Sequence, residues 1–136
     1  LRLMAYCWAD QSARLSRLRG ALQIARADPP QVDRGDAGEW LGVQLRDPVP
    51  GVLTMVFHTV AAQYFPAATT TACADAMARA AAQASPQAAL AHVEMEADGG
   101  EGAALRLGFW SGSARRWSLG RADFHGRWIT WDPHPV

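Results

Sequence analysis

The sequence predicts an α/β fold whose sheet is parallel at first and antiparallel at its far edge. Three observations lead there: helix-like and strand-like segments alternate down to residue 96, residues 52–57 form a nearly unbroken run of β-formers, and after residue 102 the periodicity becomes that of short strands separated by turns.

Residues 1–8, Leu-Arg-Leu-Met-Ala-Tyr-Cys-Trp, read as the end of a helix, and Asp10 is placed as the N-cap of the next one, which runs to about Ala27. Within it Leu15, Leu18, Leu22 and Ala25 build one apolar face, with Arg14, Arg17 and Arg26 mostly off it. Asp28-Pro29-Pro30 ends the helix, because proline neither donates a backbone hydrogen bond nor tolerates a helical residue before it. Gln31 to Arg34 is read as a short strand, followed by Gly35-Asp36-Ala37 and a short helix from Ala37 to Leu45 that carries Trp40, Leu41 and Leu45; Pro48 and Pro50 break it.

Val52-Leu-Thr-Met-Val-Phe57 is the clearest strand, and a run this apolar is expected to be covered on both faces in a parallel sheet. Thr59 to Phe65 is a short helix or loop. Pro66 suits the start of a long Ala-rich helix with Cys73, Met77, Ala81 and Ala84 on one stripe, stopping near Ser85-Pro86. Leu90 to Glu96 is the next strand, with Ala91, Val93 and Met95 on one side and His92, Glu94 and Glu96 on the other. After the turn Ala97-Asp-Gly-Gly-Glu-Gly102, Ala104–Trp110 and Arg115–Arg121 pair as a hairpin, Asp123-Phe-His-Gly126 turns the chain into a strand over Arg127–Trp131, and Asp132-Pro-His-Pro-Val136 reads as a stop.

Composition narrows the function classes. The chain has 136 residues, about one domain on the usual scale of ~100–200 residues, with 49% hydrophobic residues and six tryptophans, so disorder is excluded. All 13 basic residues are arginine and balance 13 acids, which argues against a nucleic-acid or membrane-surface binder. Cys7 and Cys73 lie far apart without metal-ligand spacing, so reduced thiols in a cytoplasmic setting are expected. No run approaches the ~18 apolar residues of a spanning helix, and no signal peptide is visible. The chain opens without Met inside a helix-like run, from which an N-terminal portion is expected to be missing and residues 1–136 to be the C-terminal portion of a larger domain.

In open α/β sheets ligands bind beyond the carboxyl ends of the strands, which directs attention to Gly35-Asp36, His58-Thr59 and Glu96. Asp36 can accept hydrogen bonds from a ligand, the amine of an adenine included, or cap the helix beginning at Ala37. His58 can act as a general base or substrate contact, since its ordinary pKa near ~6.5 lets it exchange protons at neutral pH, or serve as a structural hydrogen-bonding residue. Glu96 is either the carboxylate of the site or a solvated loop acid. His92, Glu94 and Glu96 share strand parity, yet a metal site on that face needs a further ligand from elsewhere, and a half-exposed strand face explains the same alternation; no metal site is assigned. No GxSxG, HExxH or P-loop motif occurs.

Several short segments together resemble the bacterial family DUF2332: Trp8-Ala-Asp-Gln11 with Arg14, Leu15, Leu18 and Ala21; Pro30-x-Val32-x-x-Gly35-Asp36-Ala37; Val56-Phe-His58-Thr59; Met95-Glu96; and Arg121-Ala-Asp-x-His125-Gly126-x-Trp128. The resemblance implies a Rossmann-like sheet of the class I methyltransferase type. The Val32 strand would be its third, Val52–Phe57 its fourth and Leu90–Met95 its fifth, followed by antiparallel hairpins, with the N-terminal half of the sheet upstream. It implies S-adenosylmethionine as cofactor, with Gly35, Asp36 and Ala37 bordering the adenine and His58, Glu96 and His125 facing a small-molecule substrate. The S-adenosylmethionine loop that the resemblance places upstream, and an Asn/Asp-Pro-Pro-aromatic tetrapeptide after the fourth strand, are not in this sequence. The alternative is a non-catalytic Rossmann-like binding or assembly module, homodimeric through an edge carrying Trp117, Trp128 and Trp131.

Overall fold

A computed structural model describes residues 2–136; Leu1, the first residue of the opening helix-like run, lies outside them. The chain divides into two compact units, residues 1–34 and 35–136.

In the first unit, α1 (Arg2–Ala5) is a single turn and α2 (Ser12–Ala27) is the long helix expected from the leucine spacing. Leu15, Leu18, Leu22 and Ala25 form its half-buried stripe. Gln11, not Asp10, occupies the N-cap, and its side chain makes no capping bond. The strand expected over Gln31–Arg34 does not form. Val32 is the one apolar residue of that segment and is 83% exposed, so the stretch has neither a face to bury nor a ladder to join.

The second unit holds α3 (Ala37–Gln44), β1 (Thr54–Thr59), a 3₁₀ turn (Ala62–Tyr64), α4 (Ala67–Gln83), β2 (Leu90–Ala97), β3 (Ala103–Trp110), β4 (Ala114–Ala122) and β5 (Ile129–Pro135). The sheet order is β1-β2-β3-β4-β5, with β1 and β2 parallel and every later pair antiparallel. The parallel part is therefore one pair joined by α4, shorter than expected because the Val32 segment contributes no strand. The C-terminal stop is also corrected: Asp132–Pro135 continues β5 and pairs with β4 through Ser118–His134 and Trp117–Pro135. Two prolines fit there because β5 is an edge strand, where a missing N–H costs no ladder bond.

Coverage on both faces of β1 is not observed. Its residues alternate between half-buried and exposed, and Met55 and Phe57 are 54% and 72% exposed. The covered face is the one on which α3 and α4 pack. Those helices meet at Gly38, where an added Cβ would come within 2.5 Å of the Ala72 Cβ. Asp36 caps α3, with Oδ1 accepting from the amides of Gly38 (2.8 Å) and Glu39 (3.2 Å), while Oδ2 accepts from the Thr69 hydroxyl of α4 at 2.5 Å. One aspartate thus starts one helix and pins a second to it.

The glycine contact is testable. Gly38→Ala is expected to cost about 1–3 kcal/mol by overpacking, read as a lower urea midpoint at unchanged slope. Gly42→Ala, in the same helix with open space around the site, is expected to be neutral or stabilising by up to ~1 kcal/mol through helix propensity.

Candidate functional site

Parallel register places His58 opposite Glu94 and Val56 opposite His92. Register partners share a face and side chains alternate along a strand, so Val56, His58, His92, Glu94 and Glu96 all project to one side of the sheet.

The backbone leaving β1 is built to receive one of these acids. Val60 has φ of +50°, a left-handed conformation that a β-branched residue adopts only when its surroundings impose it. Its amide still reaches the Met95 carbonyl at 2.8 Å. The reversal aims the next two amides, Ala61 and Ala62, at Glu96 Oε1, which accepts them at 2.9 and 3.1 Å. Successive amides beside a left-handed residue make an anion-binding nest, and here the anion is a side chain of the same sheet. The same oxygen accepts from His58 Nδ1 at 2.7 Å, whereas Glu96 Oε2 is buried without a partner. Burial alone would raise the Glu96 pKa. The Ala61 amide, the His58 imidazole and the Ala62 amide outweigh it and hold the carboxyl below its usual range.

Glu96 in turn sets the chemistry of His58. A carboxylate on Nδ1 fixes the proton there, leaving Nε2 as a lone pair turned toward His92 Nε2 at 3.0 Å, so the hydrogen-bond pattern assigns the proton between the rings to His92. Glu94 Oε2 lies 4.0 Å from His58 Nε2, and its Oε1 is held at 2.9 Å by Arg106. Burial, followed by opposing effects of Glu94 (raising) and His58 (lowering), leaves the His92 pKa below its ordinary value, which favours the neutral ring.

These groups open on a cleft of about 610 Å³ with mostly apolar walls. Ala37 and Trp40 of α3 and Cys73 and Met77 of α4 line one side, and His58 and His92 the other. Of the stripe expected on α4, Cys73, Met77 and Ala81 face the site, while Ala84 lies at the helix's C-cap outside it. Burial, with a smaller contribution from the Asp36 carboxylate, raises the Cys73 thiol pKa, so it remains a protonated wall residue.

Of the residues singled out from sequence, the structure brings His58 and Glu96 into direct contact and places Ala37 on the same cleft. Gly35 precedes the α3 cap, and Asp36 has both oxygens engaged by the fold. His125 sits in the exposed turn between β4 and β5, its amide donating to Asp123 Oδ1 at 2.9 Å. That turn is organised by the buried Asp123 carboxylate, which pairs with Arg127 at 2.7 Å. Sequence reasoning read His92 and Glu94 as part of a half-exposed strand face, noting that a metal site there needs a further ligand, and did not anticipate the Ala61 and Ala62 amides. The available signal was parity combined with parallel register, which puts the β1 histidine directly across from that face.

The fold and site define an α/β chain with a carboxylate–histidine pair at the carboxyl end of a parallel strand pair, beside an apolar cleft. The chain belongs to the family DUF2332, described as an uncharacterized protein conserved in bacteria, whose model matches residues 1–131. No curated protein and no solved structure matches the chain. Among the described residues no helix is long and apolar enough to cross a membrane.

Replacing Glu96 by Gln is expected to cost about 1–3 kcal/mol at neutral pH, the range for losing hydrogen bonds to a charged group. Because the folded pKa of Glu96 is depressed, its contribution is complete above the ordinary value of 4.5 and disappears as pH falls through the lower folded value. The stability gap between wild type and Glu96→Gln, measured by urea unfolding across pH, should therefore narrow in acid.

Proposed function

We propose that this chain carries the acid–base part of a small-molecule enzyme, with His58 as general base and Glu96 as the group that orients it. The observation that carries the reading is the shared cleft: His58, held from behind by Glu96, lines the same apolar-walled space as Ala37 of the Gly35-Asp36-Ala37 loop. A substrate with an apolar body enters the cleft between the helices and the sheet, its reacting heteroatom takes the place of His92 at His58 Nε2, and its proton passes to that nitrogen while Glu96 stabilises the resulting imidazolium. Such a positioned base contributes roughly 10²–10⁴ in rate.

The family resemblance specifies methyl transfer from S-adenosylmethionine in a Rossmann-like fold. What supports it is the β1-α4-β2 crossover, the placement of His58 and Glu96 at the carboxyl ends of parallel strands, and the antiparallel strands that follow. In this reading Gly35, Asp36 and Ala37 border the adenine, and Asp36 acts through the loop conformation that its three hydrogen bonds impose. The transfer is an in-line displacement that depends mainly on holding the acceptor in place.

A second reading, self-association through the sheet edge, has its own observation. β5 offers an unpaired edge on which Ile129 and Trp131 are 64% and 63% exposed, an arrangement that templates strand pairing with another chain. Trp117 and Trp128 are only half-buried beside it.

Thermal unfolding with S-adenosylmethionine distinguishes the two. Under the enzyme reading the midpoint rises with ligand concentration, by the equivalent of about 2.7 kcal/mol at a hundredfold excess over Kd, and His58→Asn preserves that rise. No shift and no calorimetric heat would sink the methyl-transfer reading. Under the second reading the chain sediments as a dimer that Trp131→Lys converts to monomer.

A further inference from the structure

Two imidazoles and a carboxylate on the covered sheet face converge on one point beside the cleft. His58 Nε2 and His92 Nε2 are 3.0 Å apart, Glu94 Oε2 is 4.0 Å from His58 Nε2, and one donor atom from each residue falls within 4.8 Å of the others. Donors bound to one cation at ~2.1 Å lie about 3–3.4 Å from each other, so the histidine pair already has the separation of adjacent ligands. The carboxylate oxygen, at 4.0 Å from His58 Nε2, lies somewhat beyond that separation.

The shell behind these atoms is that of a metal centre. Glu96 Oε1 holds His58 Nδ1 at 2.7 Å and is itself held by two backbone amides, the carboxylate–histidine arrangement that fixes a ligating imidazole with Nε2 outward. Arg106 takes Glu94 Oε1 and leaves Oε2 on the histidine side. Each potential ligand other than His92 thus has a partner on the atom that would not bind the metal.

We propose that His58, His92 and Glu94 form a binding site for a divalent first-row transition cation, with Glu96 as the orienting residue behind His58. Two nitrogens and one oxygen suit zinc or iron(II), whereas magnesium and calcium favour all-oxygen sets. Three protein ligands leave coordination positions open toward the cleft, as in catalytic rather than structural centres. On binding, the His92 proton moves from Nε2 to Nδ1, freeing the second lone pair. His58 Nε2 would then be a ligand rather than the base, and the cation would supply acidity to a water in its place. The inference goes beyond the reading above and does not depend on S-adenosylmethionine, since the two ligands are titrated separately.

The tag-free full chain, stripped with a chelator and dialysed, is titrated with Zn²⁺ by calorimetry and with Co²⁺ by visible absorption. The expected result is one equivalent of zinc per chain, cobalt ligand-field bands that zinc abolishes, and no heat with Mg²⁺. Glu96→Gln should weaken zinc by about 10–100-fold, His92→Ala and Glu94→Gln by at least as much, and His134→Ala, an exposed histidine on β5, not at all. Circular dichroism reports folding of each variant, and His92→Gln, which keeps the side-chain bulk, repeats the test should His92→Ala unfold. Absence of binding to the wild type, undiminished affinity in folded His92→Ala or His92→Gln, or loss in His134→Ala overturns the site.

Discussion

One carboxylate oxygen, Glu96 Oε1, holds the site together. It accepts from two consecutive backbone amides and from an imidazole 38 residues away in the chain. Magnitudes explain why the arrangement persists. The left-handed Val60 costs about 1–3 kcal/mol, while each hydrogen bond to a charged acceptor contributes about 1.5–3 kcal/mol, so three such bonds over-determine the strained turn. The strain and the carboxylate are complementary: without the reversal at Val60 the two amides do not converge, and without an anion to receive them the reversal has no compensation.

Asp36 repeats this device in a different setting. It too takes two nearby amides, Gly38 and Glu39, and one side chain from a distant element, Thr69. The third partner decides what each acid can do. A threonine hydroxyl adds a fastener between α3 and α4, and the contact is so close that only glycine fits at position 38. A histidine has a second nitrogen, so the tie through Glu96 continues to His92, and both rings line the cleft. The two carboxylates sit at opposite walls of the same unit: Asp36 fixes the helices that bound the cleft and Glu96 fixes the group that faces it.

Much of this was legible in the chain. Leucine spacing located α2, the Pro66 start and alanine stripe located α4, and the change of period after residue 102 located the antiparallel strands. Errors came where partners decide. Gln31–Arg34 has one strand-forming residue, Val32, and nothing to pair with, and the prolines at 133 and 135, read as a stop, are tolerated because β5 is an edge. At the site, residue types and strand ends pointed to His58 and Glu96, but their contact depends on the register between β1 and β2 and on a turn at a valine that no residue preference favours. His92 and Glu94 alternate as a half-exposed strand face would; only the neighbouring parallel strand reveals that they face a histidine.

The distribution of polarity across β1 and β2 bears on why these side chains are where they are. An exposed leucine means little, but a covered polar cluster beside exposed large apolar residues is informative. Here the helix-covered face carries His58, His92, Glu94 and Glu96, while Met55 and Phe57 on the opposite face of β1 are more than half exposed. Stability alone would place the residues the other way, since burying a polar group costs free energy unless it finds partners. The cluster meets most of that cost internally: Glu96 Oε1 is satisfied by amides and His58, His58 by Glu96 and His92, and Glu94 by Arg106, while Glu96 Oε2 stays buried without a partner. Mutual satisfaction makes the cluster tolerable without making it preferable to a leucine core. The property it adds is an oriented imidazole pair beside an apolar cleft, in surroundings where an electrostatic interaction is stronger than in water, and that property is chemical rather than structural.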